Sequence, residues 1–119
     1  NVIDDSYNSN IVGFKEALKT IASFEGDKIL VTPGMVELGD KQYEMNFKIG
    51  QEISKVCDYV IIMNKTNSSA LTEGLLNKGF NRKNIFYAST RLEQKEILKK
   101  LVKKGDIVLF ENDLPDNYN

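Results

Sequence analysis

Short apolar runs alternate along the chain with longer stretches in which apolar residues recur every three or four positions. The runs predict strands at Val2-Ile3-Asp4, Lys28–Thr32, Tyr59–Met63, Asn84–Ala88 and Asp106–Phe110. The middle ones are apolar on both alternate faces, as suits a parallel sheet with helices on either side. Between the first two, Phe14, Ala17, Leu18 and Ile21 fall at helical spacing and predict a helix from about Ile11 to Phe24, ending before Gly26. A second helix, capped by Asp40, carries Tyr43, Phe47, Gly50, Ile53 and Cys57 on one stripe. A third runs from about Asn67 to Lys78 and stops at Gly79. The fourth opens on the capping box Thr90-Arg91-Leu92-Glu93 and turns Leu98, Leu101 and Val102 inward. Its Lys99, Lys100, Lys103 and Lys104 form a solvated face near the C-terminal dipole, before Gly105.

Strand and helix in strict alternation describe repeated βα units. Right-handed crossovers then bring every strand-to-helix loop to one edge of the sheet, the edge at which such folds hold ligands. The loops concerned are Asp5 to Asn10, Pro33 to Gly39, Asn64 to Asn67, Ser89-Thr90 and the tail from Glu111. With 119 residues, no internal repeat and prolines only at 33 and 115, residues 1–119 are expected to form a single domain.

Charge and composition narrow the chemistry. Sixteen basic residues stand against 17 acidic ones, so no basic excess favours nucleic acid. No apolar run approaches the roughly 20 residues that a membrane insertion would need. Histidine is absent and Cys57 is the single cysteine, which excludes a zinc site of the usual kind, a disulfide, a Ser-His-Asp triad and a Cys-His pair within the chain. Cys57 is expected to be buried packing. The chain opens on Asn1 and shows no signal-peptide pattern, from which we expect a segment excised from a longer cytoplasmic protein. The basic residues are 14 Lys to 2 Arg beside abundant Asn, which points towards an AT-rich bacterial genome.

Two loops carry candidate chemistry. Asp4-Asp5-Ser6-Tyr7-Asn8-Ser9-Asn10 places seven consecutive hydrogen-bonding side chains between a strand and a helix N-terminus. They could serve ribose hydroxyls, a purine edge and an anion, or form a polar turn in which Ser9 or Asn10 caps the helix. In Pro33-Gly34-Met35-Val36-Glu37-Leu38-Gly39-Asp40, glycines flank an apolar-acidic-apolar triplet and permit close approach of backbone to ligand. Glu37 either meets that ligand or orders its own loop. The sequence has neither a Gly-x-x-x-x-Gly-Lys-[Ser/Thr] nor a Gly-x-Gly-x-x-Gly loop, so the phosphates of any ATP would be held elsewhere. Lys65, between Asn64 and Thr66, could also reach a phosphate.

At these loops the sequence resembles the C-terminal domain of the Mur ligases, in the D-alanyl-D-alanine-adding branch. Asp4-Asp5-Ser6-Tyr7-Asn8-Ser9-Asn10 is similar to that family's Asp-Asp-x-Tyr-Asn-x-Asn signature. Gly34-Met35-Val36-Glu37-Leu38-Gly39, followed by a helix with Ile49-Gly50, is similar to its Gly-x-Met-x-Glu-Leu-Gly segment. The resemblance implies a Rossmann-like three-layer αβα sandwich with a mostly parallel sheet of about five or six strands. It implies an ATP- and Mg2+-dependent ligase of peptidoglycan synthesis, serving cell shape and division. In such an enzyme a UDP-N-acetylmuramoyl peptide is phosphorylated on its carboxylate and then attacked by the amine of D-alanyl-D-alanine or a related acceptor. The phosphate loop and the metal ligands would belong to the central domain and the nucleotide-sugar pocket to the N-terminal one. This domain would close over ATP and acceptor, with no catalytic residue, metal or bound cofactor of its own. Asp5 would lie near the ribose, with Tyr7, Asn8 and Asn10 beside the nucleotide. Gly34, Glu37, Glu111, Asn112 and Asp113 would meet the acceptor or order the loops.

Two departures from the family pattern bear on specificity. Asn46 stands where many relatives have histidine, which removes a titratable group. Glu111-Asn112-Asp113-Leu114-Pro115-Asp116 stands where the family's Lys-Gly-Ser-Arg is usual. A Lys/Arg pair suits an acceptor carboxylate, whereas an acidic edge suits an acceptor presenting an amine or amide, or a basic partner. From Asp116 onward a solvated, frayed terminus is expected. Two rivals follow: a Mur-ligase-like amide ligase with a different acceptor, and a non-catalytic α/β binding module.

Overall fold

The computed structural model describes residues 2–5, 11–35 and 39–111, with the backbone alone at Asp4 and Asp5. Among them lie five strands, β1 (Val2–Asp5), β2 (Lys28–Thr32), β3 (Tyr59–Ile62), β4 (Ile85–Tyr87) and β5 (Ile107–Glu111), and four helices, α1 (Ile11–Ala22), α2 (Gln42–Ser54), α3 (Lys65–Asn77) and α4 (Arg91–Leu101). The strands form one sheet in the order β1-β5-β2-β3-β4, and every pairing is parallel. The expected α/β sandwich is what is found.

Topology explains how the helices divide. The connections from β1 through β4 all step the same way across the sheet, whereas β4 to β5 steps back over β3 and β2. Right-handed crossovers therefore put α1, α2 and α3 on one face and α4 alone on the other. The core follows this split. Leu30, Val60, Ile62, Ile107 and Leu109 pack with Phe14, Leu18, Ile21, Ile49, Ile53, Leu71 and Leu75 on the three-helix face. Their neighbours Ile29, Val31, Ile61 and Val108 turn the other way, towards Ile97, Leu98 and Leu101 of α4.

The α2 and α3 helices cross at Gly50 and Gly74. A Cβ on Gly74 would run into the Phe47 carbonyl oxygen, and one on Gly50 would meet the Leu71 carbonyl oxygen and lie 3.1 Å from the Gly74 Cα. The backbones approach so closely that neither position has space for a methyl group. Cys57 follows this packing as a buried thiol, and burial pushes its ionisation well above the usual range.

Several expectations need correction. Asp40 does not cap α2: it sits in a short 3-10 turn, Gly39–Lys41, and the N-cap position falls on Lys41 without a side-chain cap bond. Tyr43 is 50% exposed, because the buried stripe of α2 runs through Asn46, Ile49, Gly50 and Ile53. The third helix begins at Lys65, where the Asn64 side chain accepts from the Asn67 N–H. Val102 is exposed, since α4 ends at Leu101 and the chain turns extended there. The Thr90–Glu93 capping box forms as expected.

Gly74→Ala is expected to lower the stability of the protein by about 1–3 kcal/mol, the usual cost of overpacking. Denaturant unfolding checks this, and an unchanged midpoint would show that the crossing can spread without loss.

Candidate functional site

The C-terminal ends of the strands make one edge. There Asp5, the last residue of β1, pairs in register with Glu111, the last residue of β5. A cleft of about 530 Å³ opens at this edge on the α4 side. Val31, Pro33, Leu98 and Phe110 give it an apolar floor, Asn64, Arg91, Gln94 and Lys95 supply polar side chains, and Glu111 borders it at the end of β5. Glu111 is 2% exposed, whereas Arg91 and Lys95 reach solvent from the first turns of α4. Two cations of α4 beside an apolar floor suit a small ligand that carries a carboxylate, while Glu111, one step beyond Phe110 on β5, turns its side chain to the three-helix face with Leu109. A second groove of about 520 Å³ separates the β3 and β4 loops, and Lys65 lies there with Ser68, Tyr87 and Ser89.

Behind the cleft, buried amides hold the chain where it leaves β2. Asn46, fully buried on α2, accepts from the Met35 N–H at 2.8 Å and donates from Nδ2 to the Met35 carbonyl at 2.9 Å. The same Nδ2 donates to the Gln42 carbonyl at 2.8 Å. Asn67, on α3, donates from Nδ2 to the carbonyls of Pro33 at 2.9 Å and Met35 at 3.1 Å. The Gly34 N–H donates to the Thr32 hydroxyl at 3.0 Å. Backbone groups that leave a buried strand without access to water are thus satisfied by side chains. Gly34 is required twice over. Its φ is +76°, and a Cβ there would lie 2.5 Å from Asn46 Oδ1.

Groups with displaced ionisation lie off the cleft lining. A hydrogen bond to Glu73 raises the Tyr43 hydroxyl, and Asp27 raises Lys103 through a hydrogen bond and its charge. Among the described residues no group of three His, Cys, Asp or Glu side chains could hold a metal ion.

The family model for the Mur ligase glutamate ligase domain matches residues 1–111. The chain belongs to this family. It is 30% identical over 114 residues to the UDP-N-acetylmuramoyl-tripeptide–D-alanyl-D-alanine ligase of Bacillus subtilis, covering 93% of this chain and 24% of that one. To the ligase of the same name from Buchnera aphidicola it is 36% identical over 72 residues, which is 60% of this chain and 13% of that one. Among solved structures, MurF ligase from Thermotoga maritima in complex with ADP superposes with a TM-score of 0.74 at 26% identity, covering 94% of this chain and 24% of that one. MurF from Acinetobacter baumannii, at 22% identity, gives 0.77 over 94% of this chain and 25% of that one, and shares the fold. The chain thus spans about a quarter of the first curated relative's length.

In this Mur ligase domain the candidate residues fall into two groups. Asp5 as backbone, Gly34 and Glu111 are placed together at the C-terminal edge. Tyr7, Asn8, Asn10, Glu37, Asn112 and Asp113 lie outside the described residues. Sequence reasoning missed the amides Gln42 and Asn67 and the cleft residues Arg91, Gln94 and Lys95. A signal for the amides was present: Gln42 and Asn46 fall in helical step with Ile49 and Ile53, which puts polar groups on the buried side of α2.

Replacing Asn46 with leucine keeps the branching of the side chain but leaves the Met35 N–H buried without its acceptor. Asn46→Leu should therefore cost about 2–4 kcal/mol of stability, summed over the lost bonds. Urea unfolding measures it, and a loss below about 1 kcal/mol would show that the loop finds other partners.

Proposed function

We propose that this chain is the C-terminal domain of an ATP-dependent amide ligase of peptidoglycan precursor synthesis, joining D-alanyl-D-alanine to a UDP-N-acetylmuramoyl peptide. The observation that carries the reading is the family match over residues 1–111, together with 30% identity across 93% of the chain to a ligase of that name. A MurF ligase of the same fold was crystallised with ADP, which agrees with ATP use.

The chain's own residues define its share of the work. It has no Lys-containing glycine loop, so the triphosphate and Mg2+ fall to the central domain and the nucleotide sugar to the N-terminal one, its partners in the full enzyme. ATP supplies the phosphoryl group that activates the acyl carboxylate. Asp5 meets the ribose, and Tyr7, Asn8 and Asn10 line the nucleotide side. The cleft over Phe110 receives the acceptor dipeptide, whose terminal carboxylate faces Arg91 and Lys95, while Glu111 orders the end of β5. These α4 cations take the role that the acidic segment after β5 does not fill. Glu37, Asn112 and Asp113 order the loops around this cleft or touch the acceptor. Closure of the domain brings both sets of contacts down onto the central domain and excludes water. The enzyme works in the cytoplasm, where its nucleotide-linked substrate is made.

The acidic segment Glu111–Asp116 favours a second reading, an amide ligase of the same family with another acceptor. An acceptor screen with the full-length enzyme separates the two, and absence of turnover with D-alanyl-D-alanine would overturn the first. Asp5→Ala in the full-length enzyme should raise the apparent KM for ATP about tenfold, as expected for one lost hydrogen bond to a charged group. Unchanged ATP kinetics would remove Asp5 from the site. The isolated 119 residues should show no ATP-dependent ligation, and measurable product from them alone would contradict the division of labour.

A further inference from the structure

Two residues that wall the cleft, Pro33 and Asn64, are held by one residue lying behind them, the first by its side chain and the second by its backbone. Asn67 is 2% exposed in the first turn of α3. Its Nδ2 donates to the Pro33 carbonyl at 2.9 Å and to the Met35 carbonyl at 3.1 Å, while its backbone N–H donates to Asn64 Oδ1 at 3.0 Å. Its Oδ1 accepts from Gln42 Nε2 at 2.7 Å and from Asn46 Nδ2 at 3.3 Å. The amide therefore has one permitted orientation. A flip would turn Nδ2 against two donors and Oδ1 against two carbonyl oxygens, replacing four attractions with four repulsions.

We infer that Asn67 is a positioning residue of the cleft. Acting through Pro33 and Asn64, it fixes the separation of the β2 exit and the α3 start, two walls against which the acceptor is held, while Gln42 and Asn46 lock its orientation from α2. The inference rests on the cleft being the acceptor site. A binding wall made of a loop and a helix cap drifts unless it is tied, and drift of about 1 Å at a reacting group can cost up to 100-fold in rate. The tie is made of buried amides that bond in one arrangement only, so it specifies geometry as well as adding stability. The side chains bonded to Asn67, Gln42 and Asn46, do not titrate, so the wall keeps its place across the working pH range.

The test uses the full-length enzyme with ATP, UDP-N-acetylmuramoyl tripeptide and D-alanyl-D-alanine. Asn67→Asp keeps Oδ1 but sets a carboxylate against the Pro33 and Met35 carbonyls. It should raise the KM for D-alanyl-D-alanine about tenfold and leave that for ATP nearly unchanged. The introduced carboxyl is driven towards its neutral form, which can donate one bond again. The defect relative to wild type should thus shrink as the pH falls and grow as it rises, a trend that simple loss of packing does not give. Asn77→Ala is the control, since Asn77 joins α3 to Gln51 of α2 at 2.8 Å from the opposite end of the helix. It should change neither KM. An acceptor KM within about twofold of wild type for Asn67→Asp, or the same rise in the control, overturns the inference. If Asn67→Asp does not fold, Gln42→Leu removes one orienting bond: a smaller rise in acceptor KM supports the inference and an unchanged KM overturns it. If the wild-type enzyme does not ligate D-alanyl-D-alanine, the proposed function falls. Hydrogen exchange over residues 33–35 then decides the inference, with faster exchange in Asn67→Asp than in Asn77→Ala upholding the tie and equal rates overturning it.

Discussion

Where the chain leaves β2, three peptide units have to turn beneath two helices at a place that water does not reach. The parallel ladder ends at Thr32, and the next polar groups must bond to something carried in by α2 and α3. Asn46 and Asn67 bring in those partners, and they reach the turn only because the helices lie almost backbone to backbone at Gly50 and Gly74. Close crossing and amide cluster are thus one constraint. A wider crossing would draw Asn46 and Asn67 apart, and an apolar residue at either position would leave buried peptide groups unbonded, at about 1–3 kcal/mol each.

The same economy of contacts shapes the other face. The single backward crossover gives it one helix for a five-stranded sheet. With α4 set over Ile61 and Val31, the sheet towards β5 and β1 borders an open cleft, and Val2 is largely exposed. The site is therefore a consequence of strand order: the helix that would have filled the space was spent on the opposite face. Its chemistry comes from separate elements, cations from the start of α4 and walls from the β2 exit and the α3 cap. Elements of regular structure hold such groups more firmly than loops alone.

Much of the fold was legible in the sequence because local pattern and tertiary structure agree. All five strands and all four helices fall within a few residues of where periodicity and caps put them, and the Thr90–Glu93 box forms as its spacing demands. The failures have a common cause. Asp40, Tyr43 and Val102 were judged by local rules, a capping residue and two apolar positions, where the outcome depended on which stripe of the helix faced the sheet or where the helix stopped. The family resemblance in the two loops, Asp4–Asn10 and Gly34–Gly39, agrees with the family match over residues 1–111. The cleft was less legible. Glu111 and Gly34 announced themselves by position after a strand, but Arg91, Gln94 and Lys95 are ordinary polar residues of a first helical turn until the crossover swings α4 over the sheet. Asn67 reads as one more polar residue at a helix start, and only the approach of α2 shows what its amide is bonded to.

Near-zero net charge first suggests a chain with no electrostatic preference for any ligand, and over the whole surface that holds. Within the cleft it does not. Two solvent-reaching cations of α4 stand at one side of an apolar floor, so the local field has direction although the sum of charges is small. Such a field discriminates by orientation: a ligand that turns a carboxylate towards the cations is favoured and the reversed pose opposed, whereas a neutral molecule of the same size gains less. Orientation has value only if the walls of the cleft keep their spacing. The amides at the β2 exit are the internal ties that keep it, because they bond in one arrangement only and lie where water does not compete.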